Sequence, residues 1–179
     1  MFEVIVLIIF VYILFSVLYW SLKTGISPMF TTPKVAQAIH KIVKNSKQKK
    51  VVDLGSGWGG LALYLAIKNP TKEVVGYELS PIPFFVSTLI QKVLRVKNLQ
   101  FIKKDFLLKK YKEDEILVTY LYPKGMQKLY SILQKQNLET FLISVTFAID
   151  MLEAQKIIVN DLFATPLYIY DLSMAYSNS

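Results

Sequence analysis

The chain has no cysteine, a single histidine and only two tryptophans in its 179 residues. Without cysteine there is no disulfide, no thiolate nucleophile and no Cys-ligated zinc. One histidine is too few for an imidazole-rich set that would hold a transition metal, so no metal site is expected. Acid is scarce too: 13 Asp and Glu stand against 21 Lys and Arg, for a net charge of +8. By composition alone, that balance suits nucleic acid or an anionic membrane surface equally well. Internal repeats and low-complexity segments are also lacking, and the length allows one domain with an appendage.

Apolar residues are in excess, at 53% of the chain, with a mean hydropathy of +0.38. The excess is concentrated at the N-terminus, where residues 4–22 carry no charge and only two serines. As a helix this stretch spans about 28 Å, close to the thickness of a bilayer's hydrocarbon core. Tyr19 and Trp20 lie at one end of it, where amphipathic rings prefer the interface. Glu3 stands where a cleaved signal peptide would carry lysines, and no small-x-small cleavage site follows. The expectation is therefore a retained transmembrane anchor at 1–22, and partnership with a membrane rather than nucleic acid. Lys23, Lys34, Lys41, Lys44, Lys47, Lys49 and Lys50 follow the span, which predicts a single-pass topology with the rest of the chain on the cytoplasmic side.

Residues 23–50 read as a linker and a leading helix. Gly25, Pro28 and Pro33 punctuate the linker, and Thr32 has the character of an N-cap with Pro33 at the first helical position. Val35, Ile39, Ile42 and Val43 form the apolar face of that helix, and His40 falls on its polar side with Lys41 and Lys44. Residues 51–179 then alternate strand and helix, and read as the cofactor-binding domain. Strands are predicted at 51–54, 73–79, 99–104, 116–122 and 140–147, each a short apolar run. Helices are predicted from near Trp58, from Ser80 to about Val96, and from Pro123 to Leu133. The segment 109–115 reads as a solvated charged loop. Two last β segments, at 156–163 and 167–172, are joined so closely around Ala164, Thr165 and Pro166 that they must pair antiparallel. Five β–α repeats ending in this hairpin give a Rossmann-like α/β sheet of seven strands.

The chemistry centres on Val51-Val52-Asp53-Leu54-Gly55-Ser56-Gly57-Trp58-Gly59-Gly60. A buried strand turns sharply into a helix here, and the tightness of the turn calls for positive φ. A helix N-terminus offers unpaired N–H donors and partial positive charge to an anionic or carboxylate-bearing ligand. The spelling is double. Gly55, Gly57 and Gly60 satisfy the dinucleotide fingerprint G-x-G-x-x-G, with Glu78 following at the end of the second strand. Asp53, Gly55, Gly57 and Gly59 equally satisfy the acid-x-G-x-G-x-G loop of class I S-adenosylmethionine methyltransferases. Asp53 favours the second spelling, because a carboxylate repels a pyrophosphate but can orient an ammonium. Asp105, closing the third strand, favours it too.

On this reading, Gly55, Ser56 and Gly57 pass alongside the methionine carboxylate and ribose. Glu78, an acceptor-only carboxylate, takes both ribose hydroxyls. Asp105 accepts the adenine amine, and Leu79 and Phe106 flank the ring. Tyr120 and Tyr122 close the fourth strand, where open α/β sheets place the substrate, and are candidates to line a channel around an amine by cation–π contact. Tyr120-Leu121-Tyr122-Pro123 differs from the Asn/Asp-Pro-Pro-Tyr motif of DNA and glutamine amino-methyltransferases, which disfavours that chemistry.

An apolar span, then Gly25-Ile26-Ser27-Pro28-Met29-Phe30-Thr31-Thr32-Pro33, Val52-Asp53-Leu54-Gly55-Ser56-Gly57 and Gly76-Tyr77-Glu78-Leu79-Ser80-Pro81 together resemble one family. It is the membrane-anchored seven-β-strand lysine methyltransferases that act on the mitochondrial ATP synthase c subunit and the adenine nucleotide translocase, with their prokaryotic relatives. The resemblance implies S-adenosyl-L-methionine as cofactor, held by Asp53, Gly55, Gly57, Glu78 and Asp105. It further implies a lysine of a small integral membrane protein as acceptor. The chain departs from the family at Trp58, where a small acidic residue is usual, and at Leu121-Tyr122-Pro123. A methyltransferase for a lipid-soluble small molecule, a NAD-binding protein and a non-catalytic tethered module are the alternatives.

Overall fold

The computed structural model describes residues 1–24, 30–150 and 152–173. Its elements follow the expected alternation, with shorter strands. They are α1 (Phe2–Thr24), α2 (Pro33–Asn45), β1 (Lys50–Leu54), α3 (Gly60–Lys68), β2 (Glu73–Tyr77), α4 (Pro81–Val93), β3 (Leu99–Ile102), β4 (Glu115–Thr119), α5 (Pro123–Lys135), β5 (Phe141–Val145), β6 (Gln155–Ile158) and β7 (Pro166–Asp171). The seven strands form one sheet in the order β3-β2-β1-β4-β5-β7-β6. β1 to β5 are mutually parallel, and β7 lies antiparallel to both β5 and β6. All five parallel strands therefore end at one edge of the sheet, and β7 begins there. The expected seven-stranded α/β sheet with an antiparallel last pair is present.

Each sheet face has its own core, because residues alternate between faces along a strand. On one face Val51, Val74, Ile116, Val118, Ile143 and Val145 pack against α2 and α3 through Val35, Ile39, Val43, Ala62 and Leu65. On the other, Val52, Leu54, Leu117 and Leu142 pack against Met126, Leu129 and Leu133 of α5. α2 is thus part of the same packed layer as α3. Thr32 caps it as its sequence suggests, its hydroxyl accepting from the Val35 N–H at 3.3 Å.

Three expectations are corrected. Helices follow only β1, β2 and β4, so the five β–α repeats reduce to three. β3 leads instead into a single 3-10 turn at Phe106–Leu108, and none of the described residues 146–154 after β5 is helical. The segment 109–115 is solvated only in part, with Lys110, Lys112, Glu113 and Asp114 exposed. It crosses the open part of the second face, burying Tyr111 and an ion pair between Lys109 and Glu115. Lys109 Nζ also lies 4.5 Å over the Tyr111 ring. The predicted strand at 156–163 ends at Ile158, because Asp161 folds residues 159–165 into a tight tip. Its carboxylate accepts the Thr165 N–H at 2.9 Å, the Thr165 hydroxyl at 2.8 Å and the Phe163 N–H at 3.2 Å.

His40 is half-buried, edge-on to Tyr64 with ring centroids 6.3 Å apart. Helix α1 carries one stretch, Phe2–Trp20, long and apolar enough to cross a membrane by length and composition. The linker residues 25–29, with Gly25 and Pro28, lie outside the described residues.

Candidate active site

The site is built where β1 ends. Asp53 pairs in register with Gly76 of β2 and Val118 of β4, so its carboxylate is held in the middle of the sheet. The chain then turns, with Gly55, Gly57 and Gly59 at φ of 83°, 53° and 81°. The N–H groups of Gly55 and Ser56 both donate to the Tyr77 carbonyl, at 3.0 and 2.9 Å, which stitches the loop to the end of β2.

The glycines separate the two spellings of the loop. A Cβ on Gly59 would lie 2.6 Å from the Phe101 ring and 2.7 Å from the Ser87 Cβ, so this position admits glycine alone. A Cβ on Gly60 would meet nothing within 4 Å. The dinucleotide fingerprint needs its third glycine for close helix–strand packing, and Gly60 makes no such approach. The spelling that uses Gly55, Gly57 and Gly59 is the one the backbone enforces.

Glu78, one residue past β2, is buried and faces the loop. Its Oε2 accepts the Gly57 N–H at 2.8 Å, and its Oε1 accepts the Ser80 N–H at 2.6 Å. Both oxygens are fixed while each retains lone-pair capacity, as a carboxylate that must take further donors requires. Asp53 is buried beside it. Burial first, and then the Glu78 charge, push the Asp53 carboxyl up from its ordinary 3.8 to about 7. The Ser56 hydroxyl is buried there without a hydrogen-bond partner. A pair of buried carboxylates, an orphaned hydroxyl and open space over Gly57 form a cradle suited to a ligand bearing hydroxyls and a cation.

The other expected residues divide. Asp105 caps the 3-10 turn, its Oδ1 accepting the Leu107 N–H at 2.9 Å. Leu79 is half-buried near the loop's end of β2, whereas the Phe106 side chain is buried in the second core with Tyr111. Tyr120 and Tyr122 follow β4 at the same sheet edge, the first half-buried and the second exposed.

Sequence reasoning missed their partners, Thr146 and Phe147, which follow β5. The Thr146 hydroxyl donates to the Tyr120 hydroxyl at 3.0 Å, and the Phe147 ring lies 5.8 Å from that of Tyr122. Thr146 sits at φ 72°, a left-handed conformation that a β-branched residue rarely adopts. It is held there by its N–H donating to the Pro166 carbonyl at 2.8 Å. Strain of this kind gathers at functional sites. Among the described residues, no group of three or more His, Asp or Glu is placed to hold a metal ion.

Comparison with known proteins agrees with this geometry. The model of the ANTKMT methyltransferase domain matches residues 53–156. The release factor glutamine methyltransferase of Buchnera aphidicola is 30% identical over 107 residues, covering 56% of this chain and 38% of that protein. Its Escherichia coli counterpart is 27% identical over 94 residues, covering 49% and 33%. The chain thus spans about a third of the length of these curated relatives. Among solved structures, an RNA methyltransferase from Salinibacter ruber, in complex with S-adenosyl-L-homocysteine, superposes with a TM-score of 0.69. It is 23% identical, with 80% of this chain and 94% of that one covered. The putative methyltransferase yhhF from Escherichia coli superposes at 0.62 with 11% identity, covering 78% and 85%. These structures show the fold. The family match spans more than half of the chain and includes the Asp53 loop, Glu78 and the edge of β4 and β5, so the chain belongs to the ANTKMT methyltransferase-domain family and carries the class I methyltransferase fold.

Proposed function

We propose that the chain methylates a lysine side chain of an integral membrane protein, at the boundary between membrane and water. One observation carries this reading. Two pairs, Tyr120 with Thr146 and Tyr122 with Phe147, stand where β4 and β5 end, beside the end of β1 and its glycine loop, in a chain whose α1 has the length and composition of a membrane span. The resemblance to membrane-anchored lysine methyltransferases supports it, as does a Tyr120-Leu121-Tyr122-Pro123 edge in place of the Asn-Pro-Pro-Tyr of glutamine methyltransferases.

When bound, the sulfonium supplies an already activated methyl group, so alignment and a neutral acceptor suffice. Glu78 takes the ribose hydroxyls on lone pairs left by its two backbone donors. Gly55, Ser56 and Gly57 line the path of the methionine carboxylate and ribose. Asp53 accepts from the methionine ammonium, whose charge relieves the cost of a buried carboxylate. Asp105 holds the adenine amine on the oxygen its cap leaves over, and Leu79 covers the ring. A lysine amine has a pKa near 10.4 in water and must lose its proton before attack. Entry between the two tyrosines strips water from the ammonium and lowers that pKa. Thr146 fixes the Tyr120 hydroxyl, so the phenol presents a set direction to the incoming amine.

The anchor confines the site to the membrane surface and raises the effective concentration of anything in the same bilayer. The lysines following the span support a cytoplasmic site for the catalytic domain. A lipid-soluble small molecule is the second reading, since the same anchor and site would serve it. Native membranes incubated with tritium-labelled S-adenosylmethionine separate the two. The lysine reading expects label in the protein fraction with wild-type enzyme and none with Glu78→Ala. Label confined to the organic extract overturns it.

A further inference from the structure

We infer that the β6–β7 tip, residues 159–165, inserts Leu162 and Phe163 into the interfacial layer of the bilayer that α1 spans, and so seats the active-site mouth on the membrane plane. The inference rests on the membrane reading above and adds a second contact to it.

The tip shows two large apolar side chains to solvent. Leu162 is 89% exposed and Phe163 68% exposed, at the end of a hairpin whose flanking residues Val159 and Thr165 are buried. It is also rigid. Asp161 takes the bonds from Phe163 and Thr165 described above, and these, led by the Thr165 N–H, hold its carboxyl below the usual range. Ala164 is kept at φ 46°.

The same carboxylate fixes the tip to the tether. The Thr32 hydroxyl donates to Asp161 Oδ2 at 2.9 Å, and Lys34 Nζ donates to the Asn160 carbonyl at 2.6 Å. Phe30, two residues before this latch, is itself 73% exposed. From the end of α1 at Thr24 to Phe30 is six residues, at most about 22 Å of extended chain. The tip is therefore leashed close to the point where α1 leaves the bilayer. It also lies at the sheet edge that carries the site, since β7 begins opposite Val145, next to Thr146. Exposed aromatic and aliphatic side chains at such a position match the interfacial layer, where rings and Leu gain by leaving water.

The chain has no native cysteine, so single labels are clean. Full-length Leu162→Cys and, as a control at the opposite sheet edge, Glu139→Cys would carry an environment-sensitive fluorophore. Each would be reconstituted in phosphatidylcholine–phosphatidylglycerol vesicles containing shallow spin-labelled lipid. The expected result is quenching at least twofold stronger at position 162 than at 139, with a blue-shifted emission only at 162. Equal, water-like signals in protein that floats with the vesicles overturn the inference and leave the anchor standing. Protein that fails to float overturns both. A label at 162 that is shielded only when other integral proteins are added assigns the tip to a protein partner, and likewise overturns the lipid assignment.

Discussion

Replacing Asp53 by Asn should make the protein more stable and a poorer enzyme. The carboxylate is buried and its pKa is raised from 3.8 to about 7, mainly by burial and then by Glu78. The folded state therefore binds the proton more tightly than the unfolded one. Its contribution to stability is complete below about 3.8 and is lost as pH rises to 7; above 7 a charged Asp53 is a net cost. The shift corresponds to roughly 4 kcal/mol as an upper bound. Asparagine keeps the shape and removes the charge. In detergent without cofactor, Asp53→Asn should melt at least about 2 °C above wild type at pH 8, given 2–4 °C per kcal/mol for a chain of this size. The advantage should shrink as pH falls below 7 and vanish only below about 3.8. Calorimetric titration with S-adenosylmethionine should show the reverse cost. A charge-assisted bond lost at about 1.5–3 kcal/mol weakens affinity tenfold or more. Wild-type affinity should rise as pH passes through about 7, while that of the variant stays flat. A variant that melts lower than wild type at pH 8, or binds cofactor as tightly, would refute the reasoning.

Glu78→Ala removes the acceptor for Gly57 and Ser80 together with both ribose bonds, and should cut cofactor affinity at least tenfold by titration. The glycine loop predicts a contrast: Gly59→Ala, whose Cβ would press on Phe101 and Ser87, should lower the melting temperature clearly and weaken cofactor binding. Gly60→Ala, with open space around it, should match wild type or exceed it, as alanine is worth up to about 1 kcal/mol over glycine in a helix. Thr146→Gly should relieve roughly 1–2 kcal/mol of left-handed strain and raise the melting temperature, while methyl transfer falls because Tyr120 loses its hydroxyl donor. Lys109→Met leaves Glu115 charged and buried without its cation, and chemical denaturation should show a loss of about 3–5 kcal/mol.

How much of this was legible follows from where the information lies. Alternation of apolar runs with glycine and proline breaks is local, so the succession of strands and the loop after β1 could be read from the letters, whereas the order of the strands in the sheet could not. Strand ends were overrun at 122 and 147 because apolar character continues past the last ladder bond into the site's edge, and at 79 and 104 although Glu78 and Lys103-Lys104 already follow the last paired residue. The glycine spelling was ambiguous in letters, and only the position of the Phe101 ring, forty residues on, decides it. Lys109 and Glu115 look like surface charges in sequence. They are buried because no helix covers that part of the second face, which no local pattern reports. Thr146 carried no signal at all, since its φ and its bond to Tyr120 arise from the meeting of β4, β5 and β7. Asp161 lay unremarked inside a predicted strand, and its link to Thr32 spans 129 positions.

The central claim is methyl transfer from S-adenosylmethionine to lysine in a membrane protein. Mass spectrometry of digested integral membrane proteins, from cells lacking the chain and cells restored with wild type or Glu78→Ala, tests it most directly. The account predicts one or a few methyl-lysine sites, near the membrane–water edge of a helical protein, that are lost in the deletion, restored by wild type and not by Glu78→Ala. Identical lysine methylation in all three membranes would contradict it.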